Sequence, residues 1–168
     1  MSVASMIPFE HTAVDRITFD ELEHPSVRFG VNHWRMLRGD RMFPSRQQIR
    51  PRDLAPVLSA MSLFKVLDGE DFQYRIIGDA VVRAYDVQLQ NRRLSEIEAE
   101  LPSFGQFVRP VLLHVAQRRV PIALRGRIGH DAPGTNFTHH ENALLPLGST
   151  DDLVDHIIVF SSYERRAF

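Results

Sequence analysis

The chain has 168 residues, of which 43% are hydrophobic, and a formal net charge of −1 at pH 7. This length and composition predict one folded domain with a proper core and exclude general disorder. Lysine occurs once, at Lys65, among 20 basic residues. The arginines are spread along the chain, which argues against a nucleic-acid partner. Cysteine is absent, which excludes disulfides, thiolate metal sites and thiol nucleophiles.

The N-terminus lacks the basic start and long apolar run of a secretory signal. No stretch approaches the roughly 20 apolar residues of a membrane span, so we expect no membrane partner and a cytoplasmic location. Residues 1–24 show no regular pattern and are predicted to form an N-terminal arm.

Residues 25–38 are predicted to form a helix, because Pro25 suits its first turn and Gly39 its end. Four apolar residues share one stripe at helical spacing: Val27, Val31, Trp34 and Leu37. Two interpretations stay open. The stripe packs on the chain's own sheet, or it meets a second copy and forms a homodimer.

Residues 61–86 predict a strand, a tight turn, a second strand and the start of a helix. Asp68-Gly69 is a strong hairpin signal, since both residues tolerate the positive φ of such a turn. Phe72, Tyr74 and Ile76 then alternate with other side chains, which is typical of a strand with one buried face.

Residues 103–118 predict a longer helix that Pro110 should kink or split. Three strand patterns follow, over residues 120–129, 136–147 and 153–163. The last is apolar on both faces, which indicates that both faces are buried. We therefore predict an α+β fold in which helices cover one face of a five-stranded antiparallel sheet and the N-terminal helix covers the other.

The run Tyr74-Arg75-Ile76-Ile77-Gly78, followed by Tyr85 and by Asn91-Arg92-Arg93-Leu94, resembles the corresponding run of PAS domains. The helix with Trp34, the Phe43-Pro44-Ser45-Arg46 segment and the Pro51-Arg52-Asp53-Leu54 turn are similar to a small bacterial PAS type. The resemblance covers about residues 27–163. It implies a PAS-like domain over residues 25–168, with its N-terminal helix at 25–39 and its core at 61–163. Asp86 and Asn91 stand where the family usually has glycine.

The resemblance also implies a cavity between the helices and the sheet. Seven apolar and aromatic residues would converge there: Phe72, Tyr74, Tyr85, Phe104, Phe107, Val111 and Phe160. The alternative is that these side chains simply fill a small core. Strand parity turns Arg75 and Arg125 outward, away from such a cavity. The sequence requires no cofactor.

Histidines offer the alternative chemistry. His139, Glu141 and His156 are residue types that bind zinc or iron, although His139 and its neighbour His140 point to opposite faces of a strand. His114 lies in the region where haem-binding PAS domains, by resemblance, supply an axial ligand.

No nucleophile elbow and no phosphate-binding loop is present. We therefore predict a non-enzymatic PAS module of bacterial signalling that binds a small molecule, a partner protein or both. The rival predictions are a metal-dependent enzyme or a haem or metal sensor built on those histidines, and an arginine-based nucleic-acid binder.

Overall fold

The computed structural model describes residues 13–68, 70–128 and 134–166. They form one antiparallel sheet of six strands in the order β1-β4-β5-β6-β2-β3. The strands are β1 (Ala13–Ile17), β2 (Met61–Leu67), β3 (Asp71–Ile77), β4 (Ile122–Arg127), β5 (His139–Leu147) and β6 (His156–Glu164). The α-helices are α1 (Pro25–Arg38), α2 (Asp79–Ala84), α3 (Leu94–Glu100) and α4 (Pro102–Arg118). Short 3-10 helices span Phe19–Glu21, Arg46–Gln48 and Pro51–Ala60.

This architecture confirms the predicted α+β class and adds a sixth strand, β1, at the edge of the sheet. The strand lies within the stretch predicted as an N-terminal arm, of which residues 1–12 are outside the described residues. It pairs with β4 and buries Val14 completely. A five-residue strand with one fully buried side chain has too little alternation for the sequence pattern to reveal it.

The inner face of the sheet packs against α4. Asn142 on β5 pairs with Ser161 on β6, and Leu144 pairs with Val159, so these side chains share that face. Of the predicted kink or split at Pro110, the split does not occur, because α4 continues through this residue. Proline inside a helix costs about 3 kcal/mol. The broad apolar face that α4 buries in the core outweighs that cost.

The outer face packs against α1. Helix α1 buries Val27, Val31 and Trp34, and the Trp34 indole Nε1 donates to the carbonyl oxygen of Pro146 on β5 at 2.9 Å. At Gly30 the helix lies so close to β6 that an added Cβ would overlap the Phe160 ring. The two-sided apolar pattern of β6 therefore reflects helices on both faces, as predicted.

A charged clamp holds α3 and α4 to the start of β3. The Arg109 guanidinium of α4 contacts Glu98 of α3 and lies 3.5 Å from Asp71 Oδ1. Burial alone would raise the pKa of Asp71, but hydrogen bonds from Ser95 and from the Phe72 amide, with the Arg109 charge, hold it below its ordinary value. The clamp therefore links α3 and α4 to the start of β3.

We expect Gly30→Ala to destabilise the chain. Alanine normally stabilises a helix interior by about 1 kcal/mol relative to glycine, whereas overpacking a core costs about 1–3 kcal/mol. The clash with Phe160 should dominate, so urea titration should show a net loss of about 1 kcal/mol or more. The control Asn32→Ala, on the exposed side of α1, should change stability by less than about 0.5 kcal/mol. Equal stability of Gly30→Ala and the parent would contradict the close approach of α1.

Candidate ligand site between helix and sheet

A small cavity lies between α4 and the inner face of the sheet. Its volume is about 40 Å³. That is room for only a few water molecules, well below the ~300 Å³ of a typical ligand pocket. Both apolar and polar side chains line it: Ser62, Phe64, Tyr74, Tyr85, Phe107, Val108, Val111, Leu112, Leu124, Asn142, Leu144, Val159, Ser161 and Tyr163.

The aromatic residues predicted for the pocket account for this small volume. Tyr74, Tyr85, Phe107 and Val111 line the cavity. Phe104 packs edge-on against Tyr85, with ring centroids 5.0 Å apart, and so supports the wall from behind. The side chains thus fill most of the space that the fold could enclose.

Two further residues of the predicted pocket lie elsewhere. Phe72 is fully buried and pairs with Val66, but it is not among the residues that line the cavity. Phe160 faces α1 on the other side of the sheet. Ser161, its neighbour in sequence, takes the inward position, because successive side chains of a strand alternate between faces.

The residues predicted for the pocket did not include the polar side chains that line the cavity. Ser62, Asn142, Ser161 and Tyr163 come from three strands and converge on one side of it. The signal was present in β5, where His140 and Asn142 share the parity of the inward Leu144. Buried polar side chains cost free energy unless they are hydrogen-bonded, so a cluster of them marks a candidate site.

His140 is buried at the end of this cluster. Its ring lies between Phe107 and Phe137, at centroid distances of 5.2 and 5.9 Å. The Asn142 side-chain nitrogen lies 2.6 Å from Nδ1. When that amide donates to Nδ1, the ring proton sits on Nε2, which has no hydrogen-bond partner among the described residues.

The cavity lining carries no charge at neutral pH, and neither does His140, which contacts Asn142 from outside that lining. Burial, with a smaller contribution from His139, lowers the pKa of His140 to about 4, so its imidazole is neutral. Burial also raises the pKa of Tyr74, Tyr85 and Tyr163, which keeps these phenols protonated. The lining therefore offers hydrogen bonds and aromatic surface, but no ion pair.

The predicted metal residues on β5 lie on the outer face, in a groove of about 310 Å³. Glu141 accepts hydrogen bonds there from the backbone amides of Glu23 and His24, at 2.8 and 3.3 Å. Its other oxygen lies 3.8 Å from Arg125, which faces outward as predicted. Glu141 thus holds the chain just before α1 against the sheet.

His156 is far from that groove. It pairs with Leu147 at one end of the β5–β6 ladder, whereas His139 pairs with Glu164 at the other. Eight residues of strand separate the two positions by about 26 Å. Across residues 13–68, 70–128 and 134–166 no group of three metal-ligand side chains comes together.

His114 points to the sheet edge and does not line the cavity. Its Nε2 lies 3.5 Å from the Arg16 guanidinium of β1. Partial burial, then the charge of Arg16, lowers its pKa. The haem role of His114 stays a prediction, and this residue is not among those that line the inner cavity.

The helical stripe predicted as a dimer contact lies inside the chain. Val27, Val31 and Trp34 are at most 4% exposed, and Leu37 packs partly buried against the same core. Of the two interpretations, the structure shows packing on the chain's own sheet. A second copy could reach the stripe only after α1 had left the sheet.

The sheet is thus covered on both faces, and helices close over a small cavity of mixed polarity. The family model described as "PAS domain" matches residues 22–159, and the chain belongs to this family. PAS domains are generally sensory modules and not enzymes. Comparisons with curated proteins and with solved structures give no significant match. None of the described helices combines the length and the apolar character needed to cross a bilayer.

The buried His140 predicts a specific loss of stability in acid. A histidine has a pKa near 6.5 when unfolded, so between about pH 6.5 and pH 4 the unfolded chain binds a proton that the folded chain excludes. Stability should therefore fall as the pH drops through that window, by about 2 kcal/mol between pH 7 and pH 4.5 from this residue. Urea titrations at the two pH values measure it.

His140→Phe should flatten this pH dependence, because phenylalanine fills similar space and does not titrate. The control His114→Gln keeps the buried imidazole and should retain most of the loss. An unchanged pH dependence in His140→Phe would show that His140 is not held neutral in the folded chain.

Proposed function

We propose that the chain is a non-enzymatic signalling module that binds a small, neutral, polar molecule between α4 and the sheet. The observation that carries the proposal is the set of polar side chains, Ser62, Asn142 and Ser161, that line the cavity inside an otherwise apolar core. A buried polar group without a hydrogen-bond partner costs about 1–3 kcal/mol. A bound polar molecule would offer partners to the groups that line the cavity.

The chemistry of the lining sets the class of ligand. The described side chains at the cavity supply hydroxyl, amide and aromatic groups without an ionised partner. A charged ligand would lose its hydration there without compensation. A neutral ligand larger than a few water molecules also requires α4 to move away from the sheet.

Strand β6 provides the route from this site to the outer surface. Ser161 lines the cavity, and the adjacent Phe160 packs under Gly30 of α1. A ligand that binds one spacing of α4 and sheet better than another shifts the population between them. A displaced β6 then changes how α1 packs on the sheet, and we propose that a partner protein senses that change.

The first test is native mass spectrometry of the freshly purified full chain, with an absorption spectrum of the same sample. We expect extra mass that disappears on denaturation and no strong visible band. Bare polypeptide mass would argue against a tightly held ligand and favour a purely protein-binding role. A strong visible band would instead indicate haem or flavin.

Paired variants then localise the ligand. Asn142→Ala with Ser161→Ala removes inner polar groups without adding side-chain volume, and should abolish the extra mass. Ser162→Ala is the matched control, since it changes the same strand on its outer face. Retention of the extra mass by the double variant, with a melting temperature within a few degrees of the parent, would place the ligand elsewhere.

A further inference from the structure

A second pocket lies on the outer side of the molecule, between α1, the Phe19–Glu21 turn and the start of β4. Its volume is about 260 Å³. Phe19, Trp34, Met42 and Pro121 supply its apolar surface, whereas the inner cavity lies across the sheet. The volume is just below the ~300 Å³ lower end for drug-sized ligands, so it suits a fragment-sized molecule.

Two arginines of α1 complete this pocket. The Arg35 guanidinium lies over the Phe19 ring at 5.3 Å, and that of Arg38 lies over the Trp34 ring at 5.7 Å. None of the described residues that line the pocket is acidic. Neither arginine forms an ion pair within the described part of the chain, although Asp20 and Glu21 belong to the adjacent turn.

The Arg38 side chain also carries an unused donor. Its Nη1 donates to the carbonyl oxygen of Arg41 at 3.0 Å. Its Nε is buried and has no acceptor among the described residues. A buried guanidinium N–H without a partner is costly. A turn of the Arg38 side chain toward the pocket would let it form a charge-assisted hydrogen bond with an anionic oxygen there.

We propose that this pocket binds a small organic anion: an apolar body that packs against Phe19, Met42 and Pro121 beside Trp34, with a carboxylate or similar group held by Arg35 and Arg38. Planar guanidinium groups match the geometry of a carboxylate, and their stacking on aromatic rings pre-orients them. The bound anion would contact both α1 and the Phe19–Glu21 turn. Binding would therefore stabilise α1 against the sheet.

Trp34 makes the pocket directly observable, because it is the chain's single tryptophan. The probes are cyclohexanecarboxylate and its neutral amide, cyclohexanecarboxamide, which share one apolar body and do not absorb where tryptophan is excited. Tryptophan fluorescence and the single indole N–H resonance report binding to the full chain. We expect saturable shifts with the acid at about millimolar affinity, typical of a ligand of this size. The amide should bind at least about tenfold more weakly.

Arg38→Gln should reduce this preference to below about threefold. Arg35→Gln lies at a more exposed position and should also weaken binding of the acid. It replaces Arg38→Gln as the test if that variant does not fold. Arg28→Gln is the matched control, since Arg28 is exposed on the same helix and does not line the pocket. It should leave both affinities unchanged.

Three results would overturn the proposal. The first is equal binding of acid and amide, which would show a merely apolar pocket. The second is an equal loss in Arg28→Gln and Arg38→Gln, which would show general attraction to a basic helix. The third is no response of Trp34 up to tens of millimolar acid.

Discussion

The contact between Gly30 of α1 and Phe160 of β6 sets the geometry on which the rest of the fold depends. Glycine lets the helix backbone approach the sheet, so that Trp34 reaches the Pro146 carbonyl oxygen. The same approach covers β6 on its second face, which its apolar sequence requires. Glu141 completes the arrangement by accepting two amide hydrogen bonds just before α1 begins. Packing and polar contacts thus position α1 together.

The inner and outer sides of the sheet differ in electrostatics: the inner side holds neutral groups and the outer side holds charged ones. The core around the inner cavity holds a neutral imidazole and protonated phenols, since burial disfavours their charged forms. The outer surface keeps its charges, either paired, as Arg125 with Glu141, or stacked on aromatic rings, as Arg35 on Phe19. We therefore propose different ligands for the two sides: a neutral polar molecule inside and an organic anion outside.

The amino-acid pattern predicted the class of fold and much of the element order. This was possible because α1, the β2–β3 pair and β6, which is apolar on both faces, have strong patterns. It failed where the local structure depends on only a few residues. Strand β1 has too few residues for a pattern, and α4 continues through Pro110 because tertiary packing outweighs a local preference. Phe160 was assigned to the cavity because apolar character alone does not distinguish the two faces of a strand buried on both. The sequence did not predict the polar lining, because Ser62 and Ser161 lie far apart in the chain. They come together only when the folded sheet places β2 beside β6.

The inner cavity and the surface of α1 are connected by the alternation of one strand. Ser161 and Phe160 are adjacent in sequence and face opposite ways, so a shift of β6 that makes room on one side must alter contacts on the other. Close-packed interiors do not absorb such a shift gradually, because neighbouring side chains interdigitate without spare volume. The clamp of Arg109 with Glu98 and Asp71 limits the alternatives further by tying α3 and α4 to β3. The contact between α1 and the sheet is therefore the one that we propose to change when a ligand binds in the core, so that α1 would transmit the change to the surface.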